Sequence, residues 1–408
     1  MNILFWSHGK SFTIENMARS LKAEDESLSM DLVQNRSDRV EQSPDGPFRD
    51  VYDLRSLDKW GKLGHLPSLL SGLSSHWEYA LEACSLQQSP RRLSMIGGLL
   101  MAGRVMNERL RSKNYDLIQF SFPFHLSDIV PFFGFQAKCP IVIHFWGSDL
   151  FRVANLEKLS AQKRLVKRAQ HVIAATPEMK AIIQYKYGLE TAPKVKRLRI
   201  GSDDEIYQRI EEGDPSTAPI SASEDKIVIQ IGYNASRLNQ HSDIIERLGN
   251  CSLSERHDLH FVLPMTYNGG ENYIQTIRST AERNLCNFTI LEDFLPESAL
   301  AALRSRTDIV INTPLTDALN SAMTEALYAG SIVINGSWLP YKDLQRHGFS
   351  YTTVDDLSGV PNTLARIIDK DVHSLREKLA HENRGVREYA SWSRLAAQWV
   401  SFYRSIAC

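Results

Sequence analysis

The residues in this sequence best suited to chemistry are two carboxylates, Asp317 and Glu325, eight positions apart in the run PLTDALNSAMTEALYAGSIVINGSWLP. On one continuous helix that spacing turns them about 80° away from a shared face. If the helix starts near Leu319 or Asn320, however, Asp317 lies in the preceding loop and points back over the helix start. A carboxylate there, beside unpaired backbone N–H groups, suits a polyhydroxy ligand carrying a diphosphate. The N–H donors take the phosphate and the carboxylates take hydroxyls. The plainer alternative makes Asp317 an N-terminal cap and Glu325 a solvated surface residue.

Other runs carry chemistry of the same kind. HFWGSDL places His144 at the end of a buried strand, with Gly147 and Asp149 in the turn that follows. Histidine titrates near neutral pH and bonds through both ring nitrogens, which suits a sugar hydroxyl or a developing charge. Asp149 would orient it or cap the next helix, and the alternative for His144 is a satisfied core histidine. GYNASRLNQH sets Gly232, Asn234 and Arg237 between a strand and a helix. Backbone amides, the helix dipole and one cation can hold a diphosphate there. VLPMTYNGGENYI offers Pro264, Tyr267, Asn272 and Tyr273 as the lining of a base or sugar pocket, or as an ordinary turn and packed helix start. In HGKS near the N-terminus, Gly9, Lys10 and Ser11 could meet an anion or an acceptor, although a simple strand-to-helix turn explains them as well. The Asp-x-Asp at 369–371 follows a helix, and no Cys/His cluster has zinc spacing, so no metal site is expected.

Elements must position these groups. Leu319, Ala322, Met323, Ala326 and Leu327 make the apolar stripe of a core-facing helix. Gly330 stands where a left-handed residue would close it. SIVIN then reads as a buried strand, led into by DIVINTP. Upstream, MNILFWS, DLVQ, YDLIQFS, PIVIHFW, HVIAA and VKRLRI alternate with helical segments, and a second series begins at KIVIQIG. Such alternation implies α/β domains, each a doubly wound parallel sheet with right-handed crossovers, and ligands beyond the carboxyl ends of the strands. At 408 residues two domains are expected. The first is 1–210, with a mostly helical insertion at 57–113; a polar, Pro-containing linker covers 211–226. The second is 227–385, and an amphipathic helix lies in the tail, 386–408.

A net charge of −1 gives no global pull toward nucleic acid. Five scattered cysteines suit a reducing compartment. The N-terminal run reads as a strand, not a leader, and no stretch reaches the ~18 apolar residues of a membrane span, so a cytoplasmic protein is expected. Any membrane contact would be peripheral and local. The insertion offers a candidate in RRLSMIGGLLMAGRVMNERLRSKN, where Arg91, Arg92, Arg104, Arg109, Arg111 and Lys113 flank an apolar side. An ordinary domain-surface helix is the simpler reading.

The 314–340 run resembles the acidic motif of the family-four retaining glycosyltransferases of GT-B fold, a Glu, seven residues, a Glu, then Ala-x-x-x-Gly. Asp317 stands at the first Glu, Glu325 at the second, and ALYAG at the tail. HFWGSDLF is similar to a loop of the same family and of the bacterial TDP-4-acetamidofucose transferases, and GYNASRLNQH with VLPMTYNGGENYI resembles the latter more. The resemblance implies two Rossmann-like domains facing a cleft, with the tail crossing back to the first. It implies a UDP-, dTDP- or GDP-sugar donor, a glycan or lipid-linked acceptor in cell-surface polysaccharide assembly, retention of configuration, and no metal or other cofactor. His144 and Asp317 would then act on the sugar. Gly232, Asn234, Arg237, Pro264, Tyr267, Asn320 and Glu325 would bind the donor, and Gly9, Lys10 and Asp149 would lie on the acceptor side. Three alternatives stay open: an inverting transferase with His8, Glu15 or Asp149 as base, a non-catalytic nucleotide-sugar-binding protein, and a sugar epimerase.

Overall fold

The computed structural model describes residues 1–8, 12–35, 45–56 and 90–407, without the side chains of 12, 56, 90–97 and 254. Gly9, Lys10 and the 57–89 part of the expected insertion lie outside the described residues. The chain divides into two units, Met1–Ile200 with Trp392–Cys408, and Gly201–Ser391.

Seven parallel strands form the sheet of the first unit, in the order β3-β2-β1-β4-β5-β6-β7. They are β1 (Asn2–Trp6), β2 (Ser29–Gln34), β3 (Asp50–Asp53), β4 (Leu117–Ser121), β5 (Ile141–His144), β6 (His171–Ala174) and β7 (Val195–Arg197). The central strands read as unbroken apolar runs because helices cover both faces of a parallel sheet. The order reverses between β1 and β4, which sets the ligand crevice of such a sheet at their carboxyl ends. On one face the terminal helix Trp392–Ile406 buries Trp392, Leu395, Trp399 and Tyr403 with Ile3, Phe5 and Met17. The helix Pro90–Arg109, inside the expected insertion, spends its described apolar side within the unit, burying Leu100, Met101 and Met106. It crosses the helix Leu126–Gly134 so closely that a Cβ on Gly103 would stand 1.8 Å from the Pro131 carbonyl oxygen.

The second unit has six parallel strands in the order β10-β9-β8-β11-β12-β13. These are β8 (Ile227–Ile231), β9 (Leu259–Pro264), β10 (Phe288–Leu291), β11 (Ile309–Asn312), β12 (Ile332–Gly336) and β13 (Thr352–Val354). The helix after β11 spans Ser321–Tyr328, capped by Asn320, whose side chain accepts from the Met323 N–H at 2.7 Å. Met323, Ala326 and Leu327 are buried and Gly330 closes the helix at φ +77°, a conformation that a side chain would strain.

The division falls at different places from the sequence reading. Residues 201–210, assigned there to the first domain, belong to the second unit, because Ile206, Tyr207 and Ile210 on helix Asp204–Glu212 pack on Ala301 and Tyr328. Of the 386–408 tail, only the part from Trp392 onward belongs to the first unit. Strands β3 and β13 were not expected. Both are short edge strands whose pairing partner, not their own pattern, makes them strands. Among the described residues no helix is long and apolar enough to cross a membrane, and no group of His, Cys, Asp and Glu is arranged to hold a metal.

Candidate functional site

At the carboxyl ends of β8, β9 and β11 the second unit opens a cavity of about 220 Å³. Pro264 and Tyr267 come from the end of β9, Phe294 from the turn after β10, and Ser321 and Ala322 from the start of the helix after β11; Glu325 and Arg304 close it. Tyr267 and Phe294 stand 6.5 Å apart at the rim, 46% and 78% exposed. Such exposure is unusual for large aromatics and leaves their faces available to a flat partner. The first N–H groups of an α-helix have no partner within it, and Ser321 and Ala322, the first two residues of this helix, line the cavity. The sequence reading thus has Pro264, Tyr267, Asn320 and Glu325 brought to one cavity.

Glu325 is not a solvated surface residue. It is 7% exposed, and the Nε of Arg304, itself 5% exposed, donates to its Oε2 at 3.0 Å. A second Arg304 nitrogen donates to Gln230 Oε1 at 3.0 Å, and the Gln230 amide donates to the Gly232 carbonyl at 2.6 Å. A charge buried to this degree persists only when paired and hydrogen-bonded. Arg304 was missed in the sequence, although a signal exists: it sits four residues after Leu300 and beside Leu303, on the inward side of ESALAALRSR.

Asp317 lies in the loop before the helix and points back over its start, and Asn320, not Asp317, is the cap. One Asp317 oxygen accepts from the Tyr233 hydroxyl at 2.9 Å, from the Tyr341 hydroxyl at 3.1 Å and from the Asn320 amide. The other accepts from the Ala318 N–H at 2.8 Å. Burial pushes its carboxyl up from the ordinary range, and those donors oppose the shift. The carboxylate therefore ties three elements together, and it does not line the cavity.

In the loop after β8, Asn234 shapes the backbone, its side-chain oxygen accepting from the Ser236 N–H at 2.9 Å and the Asn239 amide at 3.0 Å. Arg237 is exposed, its guanidinium 4.7 Å from the centre of the Tyr273 ring. Beneath Gly232 lies His241, fully buried, with Nε2 unpartnered.

In the first unit His144 is 0% exposed. Its Nδ1 accepts from the Trp146 indole N–H at 3.2 Å and from the Gln119 amide at 3.4 Å, and Trp399 covers its ring at 4.8 Å. It underpins Trp146 from inside the unit. Asp149 has no described contact with it; instead its carboxylate accepts from the backbone N–H of Trp146 at 2.9 Å and of Gly147 at 2.8 Å, fixing the turn. More accessible groups lie past the ends of β1 and β4. His8 Nδ1, just past β1, donates to Asp128 Oδ2 at 2.6 Å, and Asn35 donates to the other oxygen of this fully buried carboxylate at 3.1 Å. His8 stacks on His125 at 4.0 Å, and from there rings continue through Phe124 and Phe122 to Trp146. Phe122 has φ 58°, a left-handed conformation costing a side-chain-bearing residue roughly 1–2 kcal/mol. The buried Gln162 amide donates to the carbonyls of both Pro123 and Asp149 at 2.7 Å, locking the two turns together. The sequence reading missed Asp128, whose signal was an acid amid the apolar run LSDIVPFF.

Burial alone pushes His144 down to about 3 and His241 down to about 4. Both lie below histidine's ordinary range, so between about pH 6.5 and 4 the unfolded chain binds more protons than the folded one. Their contribution is intact above pH 6.5 and is lost as pH falls. Asp149, pushed up to about 7 by burial, acts in the opposite sense and weakens the fold as pH rises from about 4 to 7. In His144→Asn the acid-side loss of first-unit stability is expected to shrink by about 1.4 kcal/mol per pH unit. Chemical denaturation at pH 7, 6, 5 and 4 checks this, and an unchanged slope would count against the burial account.

No protein-family model matches this sequence, and no curated protein does. Solved structures match nearly its whole length. Sucrose-phosphate synthase of Thermosynechococcus elongatus aligns with TM-score 0.68 at 15% identity, over 99% of this chain and 98% of that one. HepE of Anabaena, in complex with UDP and glucose, aligns with TM-score 0.66 at 15% identity, over 99% and 100%. The UDP-forming α,α-trehalose-phosphate synthase of Burkholderia xenovorans, in complex with glucose-6-phosphate, aligns with TM-score 0.65 at 13% identity, over 99% and 100%. At such identities the likeness is one of fold, and the fold of this chain is GT-B, that of these glycosyltransferases.

Proposed function

We propose that the protein transfers a glycosyl group from a nucleoside diphosphate sugar, bound in the second unit, to an acceptor hydroxyl. The observation that carries this is the cavity: an aromatic rim, a buried carboxylate at the base, and helix-start N–H donors between them. The base would lie against Tyr267 and Phe294, the ribose hydroxyls on Glu325, and the diphosphate on the N–H groups of Ser321 and Ala322, with Arg237, in the loop after β8, as the cation. Those donors would stabilise the leaving diphosphate as its charge develops, so that no metal is needed. The donor would be a UDP-, dTDP- or GDP-sugar, and UDP-glucose in the HepE structure supports the first of these. The acceptor would be a glycan or lipid-linked sugar of a cell-surface polysaccharide.

The test is a thermal-shift panel of UDP, dTDP, GDP, CMP and ADP, with and without EDTA. One diphosphate nucleotide should raise the midpoint by mass action, unaffected by EDTA. Phe294→Ala should weaken its binding about tenfold, one stacked aromatic being worth roughly 1–1.5 kcal/mol. No response to any nucleotide would move the reading to a protein that does not use this donor class.

On stereochemistry the resemblance suggests retention, with a leaving-phosphate oxygen taking the acceptor proton as the C1–O bond to phosphate breaks and the new bond forms on the same face. A second reading, inversion, is favoured by His8 and Asp128. A buried carboxylate holding a partly exposed imidazole through Nδ1 would orient Nε2 to take that proton, an arrangement suited to a general base. The anomeric coupling constant of the product, read by proton NMR, separates the two.

A further inference from the structure

We infer that the outer face of the helices Leu156–Arg168 and Pro177–Tyr187 docks the protein on an anionic lipid bilayer. This goes beyond the donor-site reading and does not depend on it. Charge is the first observation. Residues 152–199 carry 12 Lys and Arg against 3 Asp and Glu, while the other 360 residues carry 35 against 45. A segment of net charge +9 thus stands in a chain of net charge −1. Of its three acids Glu157 is buried, which leaves Glu178 and Glu190 as those with solvent exposure. Strand β7, in the same segment, is an edge of its sheet, where lysines commonly deter further pairing. The two helices alone, however, carry seven basic residues against two acidic ones.

Apolar exposure is the second observation, independent of the first. Among the described residues, the large apolar side chains that the first unit leaves exposed are Leu156, Tyr185 and Leu189, at 69%, 86% and 77%. All three fall in the basic segment. The two helices are successive crossovers, from β5 to β6 and from β6 to β7, so right-handed connections lay both on one side of the sheet, where they touch. Leu156 opens the first helix at the carboxyl ends of the strands, and the exposed Lys163 and Lys167 follow along it. Tyr185 and Leu189 lie one turn apart at the other end, where the Lys194 ammonium donates to the Ala169 carbonyl at 2.8 Å.

The coincidence of the two selects the partner. A solvated face would explain the lysines, and one exposed leucine would need no explanation. Anionic headgroups attract the cations, and the acyl boundary beneath them takes leucine and tyrosine, with lysine stems lying along it. A nucleic acid would take the charge and leave the leucines in water. The helix Pro90–Arg109, where the sequence placed a candidate membrane contact, buries its described apolar side within the unit instead.

The test is sedimentation of the full chain with vesicles of phosphatidylcholine alone, and of phosphatidylcholine with an equal part of phosphatidylglycerol, at low and high salt. The protein should bind the anionic vesicles and not the neutral ones, and less as salt rises. Lys163→Glu with Lys167→Glu, both at exposed positions, should weaken binding by about tenfold or more. Tyr185→Ser with Leu189→Ser should weaken it by about threefold or more, because binding scales with the apolar area buried. Arg109→Glu with Arg111→Glu makes the same change of net charge at exposed positions elsewhere on the unit, and should leave binding within about twofold. No binding to anionic vesicles overturns the inference. An equal loss in the Arg109 and Arg111 pair does so too, since net charge alone would then explain binding. Unchanged binding by the Tyr185 and Leu189 pair also overturns it, and makes the face one for a polyanion such as a nucleic acid. Vesicle binding is read without nucleotide, so failure of the donor site leaves this result standing.

Discussion

Replacing Arg304 by alanine is expected to cost the second unit about 3–5 kcal/mol, the usual loss when one partner of a buried ion pair is removed. Glu325 would be left 7% exposed with no cation, and Gln230 would lose the donor that holds its oxygen. Coulomb attraction is the smaller part of this loss; the larger is a carboxylate stranded away from water. Arg304→Lys should fall between, because an ammonium cannot reach Glu325 and Gln230 with the planar fork that guanidinium offers. The double variant Arg304→Met with Glu325→Leu should regain most of the stability, since apolar residues of similar volume can replace a buried pair. It should nevertheless lose the nucleotide response on which the proposed donor site depends. Urea denaturation of the four proteins measures the first effect and the thermal-shift panel the second. A loss below about 1 kcal/mol in Arg304→Ala would mean that the pair is solvated after all.

The second large effect belongs to the first unit. Trp399→Ala should destabilise it by about 3–5 kcal/mol, the range for truncating a large buried aromatic. Trp399 is fully buried, its indole N–H donates to the Arg199 carbonyl at 2.8 Å, and its ring lies 4.8 Å from His144 and 5.7 Å from Tyr403. The substitution also uncovers His144. With water admitted, the imidazole should leave its value of about 3 and rise toward the ordinary 6.5, because desolvation is the one cause of its depression. Histidine NMR titration would follow that signal. Were the signal to stay unprotonated to pH 4 in the variant, Trp399 would not be what keeps His144 dry. The second unit should melt as before, since Trp399 packs within the first.

What was legible in the sequence follows from periodicity. Apolar runs punctuated by Gly and Pro gave away the parallel strands, and the stripe from Leu319 to Leu327 gave away the helix after β11, with Gly330 closing it at φ +77°. The edge strands β3 and β13 were invisible because an edge strand of three or four residues carries no pattern of its own. The unit boundary near 200 was invisible for a related reason: helix Asp204–Glu212 is amphipathic, and amphipathicity says that a face is buried without saying against what.

The candidate site divides in the same way. By itself the sequence picked out residues at strand ends and helix starts, and four of them, Pro264, Tyr267, Asn320 and Glu325, line one cavity. Only the tertiary structure decided their partners and protonation. Arg304 reaches Glu325 from 21 residues away, and His8 reaches Asp128 across 120. Tyr233 and Tyr341 occupy Asp317, while Trp399 seals His144 from the far end of the chain. The reason is physical. Local pattern is set by backbone geometry over a few residues, whereas the charge and availability of a side chain are set by whatever the rest of the chain packs against it.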